Sequence, residues 1–243
     1  MTASPAVLVN PEPPPAGVEP AVAALVEAVQ RADSALQLLQ ATQSLAATAH
    51  PQAAPCLVEV LGFNNPGAAV AAVDGLIAIG EPAVATILAN LDGHNYGARA
   101  WAVRALAGIG DVRGLEVLEE ALGHDIGPSV RRAAARGLGQ LRLDGLEPQR
   151  RQALVGRCLH ALVEGCGDGE WVVRYAVVVG LESLAPALEA AELQQLLAAL
   201  AGLNADLPEE VPVVQLRAGL ALRRLGIGTA AIPGTAAMES ADG

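Results

Sequence analysis

Small and apolar residues return along this chain at intervals of three and four, in stretches separated by short runs of Asp, Asn, Gly and Pro. That spacing lays an apolar stripe along one face of a helix. Three stretches share a motif: Ala98 to Leu106, Val130 to Leu138 and Val173 to Leu181. Each reads small or β-branched residue, Arg, two variable residues, small residue, three variable residues, Leu. The stripe is buried and the Arg sits beside it. The chain therefore reads as a helical repeat protein, whose stacked units build an extended concave surface.

Gly80 and Gly110 close equivalent units thirty residues apart, and Leu106 and Leu138 are thirty-two apart. A period near thirty suits a solenoid of helix pairs. First helices are expected at Ala53–Leu61, Ala83–Leu91, Leu115–Leu122, Leu154–Val163 and Leu193–Leu200. Second helices follow at Ala68–Ile79, Gly97–Ile109, Ser129–Leu141, Val172–Leu184 and Val213–Leu225. The outer copies depart from the motif, with Ala69 and Gln215 in the Arg place, as capping repeats do. Arg142 to Arg151 reads as a loop insertion. Residues 1–20 are a flexible proline-rich lead-in, 21–226 the solenoid and 227–243 a disordered tail. The expected fold is all-α: an α-solenoid of about five helix pairs in a right-handed superhelix.

Composition narrows the core. Aromatic residues are 2% of the chain against 52% hydrophobic overall, so Ala, Leu, Val and Gly must do the packing. The formal charge of −11 is uneven: residues 1–98 carry −7, residues 99–157 carry +3 and residues 158–243 carry −7. An acidic protein with one basic island is a poor partner for nucleic acid and a better one for a small anion. Every basic residue is Arg, which excludes Schiff-base and Walker-type lysine chemistry. Cys56, Cys158 and Cys166 lack metal or redox spacing and read as reduced thiols. No signal peptide or apolar run long enough to span a bilayer is visible, so a soluble, cytoplasmic protein without membrane insertion is expected. His50, His94, His124 and His160 form no metal-binding signature, and no metal is expected.

Arg131 lies six residues after Asp125, Arg174 six after Asp168 and Arg99 seven after Asp92. This spacing predicts a structural ladder in which each Asp caps the second helix and pairs with the Arg of its own unit. The places one and five after the Arg lie away from the buried stripe and bring in Arg104, Arg132, Arg136 and Tyr175. Tyr96 and Trp171 stand three before it, and Trp101 just after. The arginines line either a groove or an ordinary solvated face, and the rings either hold a planar apolar ligand or fill gaps left by alanines. His124-Asp125 is the adjacent pair with acid–base potential.

The runs Tyr96 to Asp111 (YGARAWAVRALAGIGD), Ser129 to Gly139 (SVRRAAARGLG) and Trp171 to Tyr175 (WVVRY) closely resemble the phycobilisome-type HEAT repeats of bilin lyases. Within that family the chain is most similar to F-type subunits of the heterodimeric lyases that serve the phycocyanin α subunit. The resemblance covers Ala21 to Gly226. It implies a partner, the E-type subunit, and a substrate, the linear tetrapyrrole phycocyanobilin, with no separate cofactor. The pair would attach the bilin by a thioether to a cysteine of a phycobiliprotein α subunit, so the nucleophilic thiol belongs to the acceptor.

On this resemblance, Arg104, Arg132 and Arg136 are expected to hold propionates, while Tyr96, Trp101, Trp171 and Tyr175 pack on the pyrrole rings. His124 or Asp125 would keep the pyrroles protonated. Lyase-isomerases carry an Asn-His-Cys type motif where this chain has Gly123-His124-Asp125, so plain ligation is favoured over isomerisation. The competing readings are a phycobilisome-associated chaperone or degradation adaptor that forms no bond, and a HEAT adaptor without pigment.

Overall fold

A computed structural model describes residues 19–91, 95–205 and 209–226. The described residues form twelve α-helices: α1 (Pro20–Gln30), α2 (Ala35–Ala46), α3 (Ala54–Val60), α4 (Pro66–Ile79), α5 (Glu81–Ala89), α6 (Tyr96–Ile109), α7 (Leu115–His124), α8 (Pro128–Leu138), α9 (Pro148–Gly165), α10 (Trp171–Leu184), α11 (Ala190–Asn204) and α12 (Pro212–Arg224). Three short 3-10 turns complete them. The even-numbered helices pack in succession, α2 on α4 through to α10 on α12, and form one row. The odd-numbered helices form the other row, in which α3 meets α5 and α9 lies between α7 and α11. This is the α-solenoid that the repeat period predicts.

Sequence sets the helix ends. Proline opens α1, α4, α8, α9 and α12, where its missing N–H costs nothing. Asn65 Oδ1 accepts from Ala68 N at 3.1 Å and Asn95 Oδ1 from Ala98 N at 3.0 Å, capping α4 and α6. One continuous apolar core runs between the rows from Val22 to Leu222 and is mostly Leu, Val and Ala. Small residues let the even row stack closely. At the α8–α10 crossing a methyl on Gly139 would stand 2.2 Å from the Gly180 carbonyl oxygen, and one on Gly180 would stand 2.4 Å from that of Ala135.

Two expectations need correction. The array has six helix pairs among the described residues, not five, because α1 and α2 form a pair that lacks the Arg motif. The 142–151 insertion is shorter than a loop over that whole span, since Pro148 opens the 18-residue α9. The irregular remainder is tied down: Leu141 and Leu143 are buried, and Arg142 donates from its backbone to Gly110 O at 2.7 Å and from its side chain to Ile109 O. Those bonds satisfy carbonyls at the end of α6. Residues 1–18 of the expected lead-in and the tail at 227–243 lie outside the described residues, and α1 begins at Pro20. No helix among the described residues is long and apolar enough to cross a membrane.

Candidate functional site

The motif arginines build a frame that is staggered by one repeat. Arg131 donates from Nε and Nη2 to both carboxylate oxygens of Asp168, at 2.7 and 2.9 Å, and from Nη1 to the Asp125 carbonyl at 2.9 Å. Arg174 repeats this, with Nη2 to Glu209 Oε1 at 2.8 Å, Nε to the other oxygen, and Nη1 to the Asp168 carbonyl at 2.7 Å. Arg99 reaches Asp125 Oδ2 at 2.7 Å. Arg131 and Arg174 thus take the backbone of their own turn and the carboxylate of the next, which corrects the pairing expected within a unit for those two, and Arg99 likewise holds the carboxylate of the following turn. Asp92 lies outside the described residues.

The acids do not cap the second helices either. Asp125, Asp168 and Glu209 accept the N–H two residues on, from Gly127, Glu170 and Val211 at 2.8, 2.8 and 2.9 Å, and so brace the turn. Burial alone would raise the Asp168 carboxyl. The Arg131 hydrogen bond, the Glu170 N–H and the charges of Arg131 and Arg174 prevail and hold it below the ordinary value. The Arg174 hydrogen bond likewise lowers Glu209 against its burial. Gln215 stands where the array ends. It donates to the Glu209 carbonyl at 2.7 Å, keeping the backbone half of the contact where the motif copies carry Arg.

Asp125 belongs to this frame. Its side chain is fully buried, and its carboxylate accepts from Arg99, from Gly127 N and from the Tyr96 hydroxyl at 3.0 Å. Gly127 is what admits the phenol, because a methyl there would stand 2.1 Å from the Tyr96 oxygen. Burial and the bond to Asp125 raise the Tyr96 phenol, which keeps its proton. Three donors on a buried carboxylate leave it no route to a ligand, so the acid–base role expected of Asp125 is replaced by a structural one. A cysteine thiol at this position could not accept those three donors equivalently.

His124 is exposed at the end of α7 and lines a cleft of about 570 Å³ with Glu116, Glu119, Glu120, His160 and Glu164. These residues come from α7 and α9. The cleft belongs to the odd row and holds none of the candidate bilin-binding residues. The sequence neighbours His124 and Asp125 are therefore parted: Asp125 is held by the frame arginines, and neither residue bonds to Arg104, Arg132 or Arg136.

The remaining candidates do share a face. On four of the even helices, residues four apart form an exposed or half-buried column: Tyr96, Ala100 and Arg104 on α6; Pro128, Arg132 and Arg136 on α8; Trp171, Tyr175 and Val179 on α10; Pro212, Leu216 and Leu220 on α12. Because α6, α8, α10 and α12 pack in order, the columns lie side by side. Their chemistry changes across the array: mixed aromatic and basic on α6, basic on α8, aromatic on α10, apolar on α12. Arg132 and Arg136 are exposed, and no described residue bonds to either.

Trp101 is half-buried against the core, and the Arg104 guanidinium stacks on it 4.6 Å from the ring centroid. Tyr96 and Trp171 keep 44% and 45% of their surface exposed, which is unusual for rings that merely fill gaps. The sequence reading missed Glu182 and Arg217. They pair with each other between α10 and α12, and Arg217 lies 6.0 Å from the Tyr175 ring. The period did carry a signal for Arg217, since it falls two residues after Gln215, where Trp101 falls after Arg99.

None of the three thiols is poised as a nucleophile. Burial pushes Cys56 up to about 11 and both Cys158 and Cys166 up to about 12.

Comparison with known proteins agrees with this architecture. Residues 88–161 match the family model for HEAT repeats. The chain is 56% identical to phycocyanin alpha phycocyanobilin lyase CpcF of Synechocystis over 169 residues, covering 69% of this chain and 78% of that one. It is 50% identical to the phycobilisome maturation protein of Synechococcus elongatus, covering 84% and 98%. Among solved structures, the complex of CpcE and CpcF of phycocyanin lyase from Nostoc contains a chain that matches with a TM-score of 0.63 at 40% identity, over 71% of this chain and 99% of that one. Identity at this level over most of both sequences places the chain in the phycocyanobilin lyase family, among its F-type subunits.

Proposed function

We propose that this chain is one subunit of a heterodimeric lyase, active with an E-type partner, that attaches phycocyanobilin through a thioether to a cysteine of a phycocyanin α subunit. The single observation that carries the site is the basic column of α8 lying directly beside the aromatic column of α10 on an exposed face. A bilin is a planar, largely apolar molecule with two propionates. Trp171 and Tyr175 offer its rings a floor, and Arg132 and Arg136 offer a propionate charge-assisted donors with no competing acid. Tyr96, Trp101 and Arg104 extend the same surface on α6.

The chain's part in the chemistry is to hold and orient. The acceptor's thiolate adds to the ethylidene carbon of the bilin: one C–S bond forms, the exocyclic C=C π bond opens into the conjugated tetrapyrrole, and the proton released by the thiol is taken up there. The chain's own thiols do not compete as thiolates, which fits a nucleophile supplied by the acceptor. Fixing the bilin against the even-row face turns a bimolecular addition into an encounter of prearranged groups. The bilin is substrate, no resident cofactor takes part, and the reaction takes place in the cytosol.

The test uses the heterodimer, apo-α subunit and phycocyanobilin. The Arg132→Ala, Arg136→Ala double variant should lose most bilin binding and most of the coloured adduct that survives denaturation. Full transfer by that variant would overturn the assignment. Colour that binds wild type but washes out on denaturation would favour the chaperone or adaptor reading.

A further inference from the structure

Arg217 Nη1 is a buried side-chain nitrogen with no hydrogen-bond partner among the described residues. Native structures leave few such donors unmade, so this one calls for an explanation. Arg217 is outside the ladder, whose place on α12 is held by Gln215. Its Nη2 pairs with Glu182, and Glu182 also takes Arg224 at 3.3 Å. Two guanidiniums share one carboxylate, and the cluster keeps a net positive charge.

The position of the cluster supplies the ligand class. Arg217 lies against Tyr175, the middle member of the aromatic column of α10. Packed helices stand about 8–10 Å apart. The rings of α10 are therefore flanked by guanidinium groups on both sides, Arg132 and Arg136 on α8 and Arg217 on α12. A flat molecule lying along Trp171 and Tyr175 meets a carboxylate-binding group at either edge.

We propose that Arg217 is a second carboxylate anchor for the tetrapyrrole, taking one propionate while the α8 arginines take the other. The Tyr175 ring covers the guanidinium when the site is empty and turns as the ligand seats, which brings Nη1 to an acceptor. Glu182 holds the guanidinium in place and competes with the propionate for it. This inference rests on the pigment-binding reading above and adds a residue and an edge to it.

The experiment is an absorbance titration of the heterodimer with phycocyanobilin and, separately, with its dimethyl ester, in the absence of acceptor. R217Q should weaken binding of the diacid about tenfold and leave the diester unchanged. E182Q, which removes the competing carboxylate, should tighten the diacid and not the diester. Equal losses for diacid and diester in R217Q would make Arg217 a packing residue and overturn the proposal, as would wild-type affinity for the diacid. If R217Q does not fold, E182Q decides: diacid affinity at or below wild type overturns it. A defect in R217Q that appears only when apo-α subunit is added assigns the carboxylate to the acceptor and also overturns it. Failure of the wild-type heterodimer to bind either compound overturns the pigment-binding reading itself, and this inference with it.

Discussion

Arg131 and Arg132 are neighbours in sequence and opposites in role. Arg131 is 15% exposed in its side chain, and its guanidinium joins the Asp125 carbonyl to the Asp168 carboxylate. Arg132, one residue on and 100° around the helix, faces solvent with no described partner. The same contrast recurs at Arg174 and Tyr175, where the first is bound to Glu209 and the second joins the aromatic column. A repeat protein thus separates its two tasks by a single step in sequence. The motif place carries the frame, and the next place is left free to vary.

The contrast makes graded predictions. Arg131→Ala should be the most damaging change, because it leaves the nearly buried Asp168 carboxylate unpaired; about 3–5 kcal/mol of unfolding free energy should be lost in urea titration. Arg174→Ala should behave alike through Glu209. Gly180→Ala comes next, at about 1–3 kcal/mol, since its methyl meets backbone that cannot rotate aside. A shift smaller than about 0.5 kcal/mol would show that α8 and α10 separate easily.

Acid should act on the frame before the face. Asp168 and Glu209 sit below their ordinary values of 3.8 and 4.5, so the stability they add is complete above those values and is lost as pH falls through the lower folded ones. The urea midpoint should hold down to about pH 5 and then fall, more steeply in wild type than in Arg174→Ala. Gln215→Ala should cost about 1 kcal/mol, the value of one hydrogen bond at the end of the array. Arg132→Ala should change stability by less than about 0.5 kcal/mol, the ordinary result for an exposed site. A thermal melt of Arg132→Ala that drops as far as that of Arg131→Ala would abolish the distinction.

Much of this was legible from residue order. The three- and four-residue spacing marked the second helices, and the same spacing put Arg104, Arg132, Arg136 and Tyr175 on exposed columns, because position around a helix depends on chain order alone. The α1–α2 pair was not legible, since it lacks the motif Arg and, unlike α4 with Gly80, no glycine closes α2. Arg217 escaped because its significance lies in a neighbour, Tyr175, that precedes it by a full repeat.

By itself, then, the sequence determined the helical period, the buried stripe, the resemblance to bilin lyases and which arginines point outward. Only the tertiary structure decided which acid each motif arginine holds. Arg99 meets Asp125 across 26 residues, Arg131 meets Asp168 across 37 and Arg174 meets Glu209 across 35. A short spacing from Asp to Arg fits a bond inside the turn as well as one to the next turn. The choice depends on how far one helix pair is displaced on its neighbour, and that displacement is set by side-chain packing between the pairs. The same packing withdrew Asp125 from chemistry by burying its carboxylate under three donors.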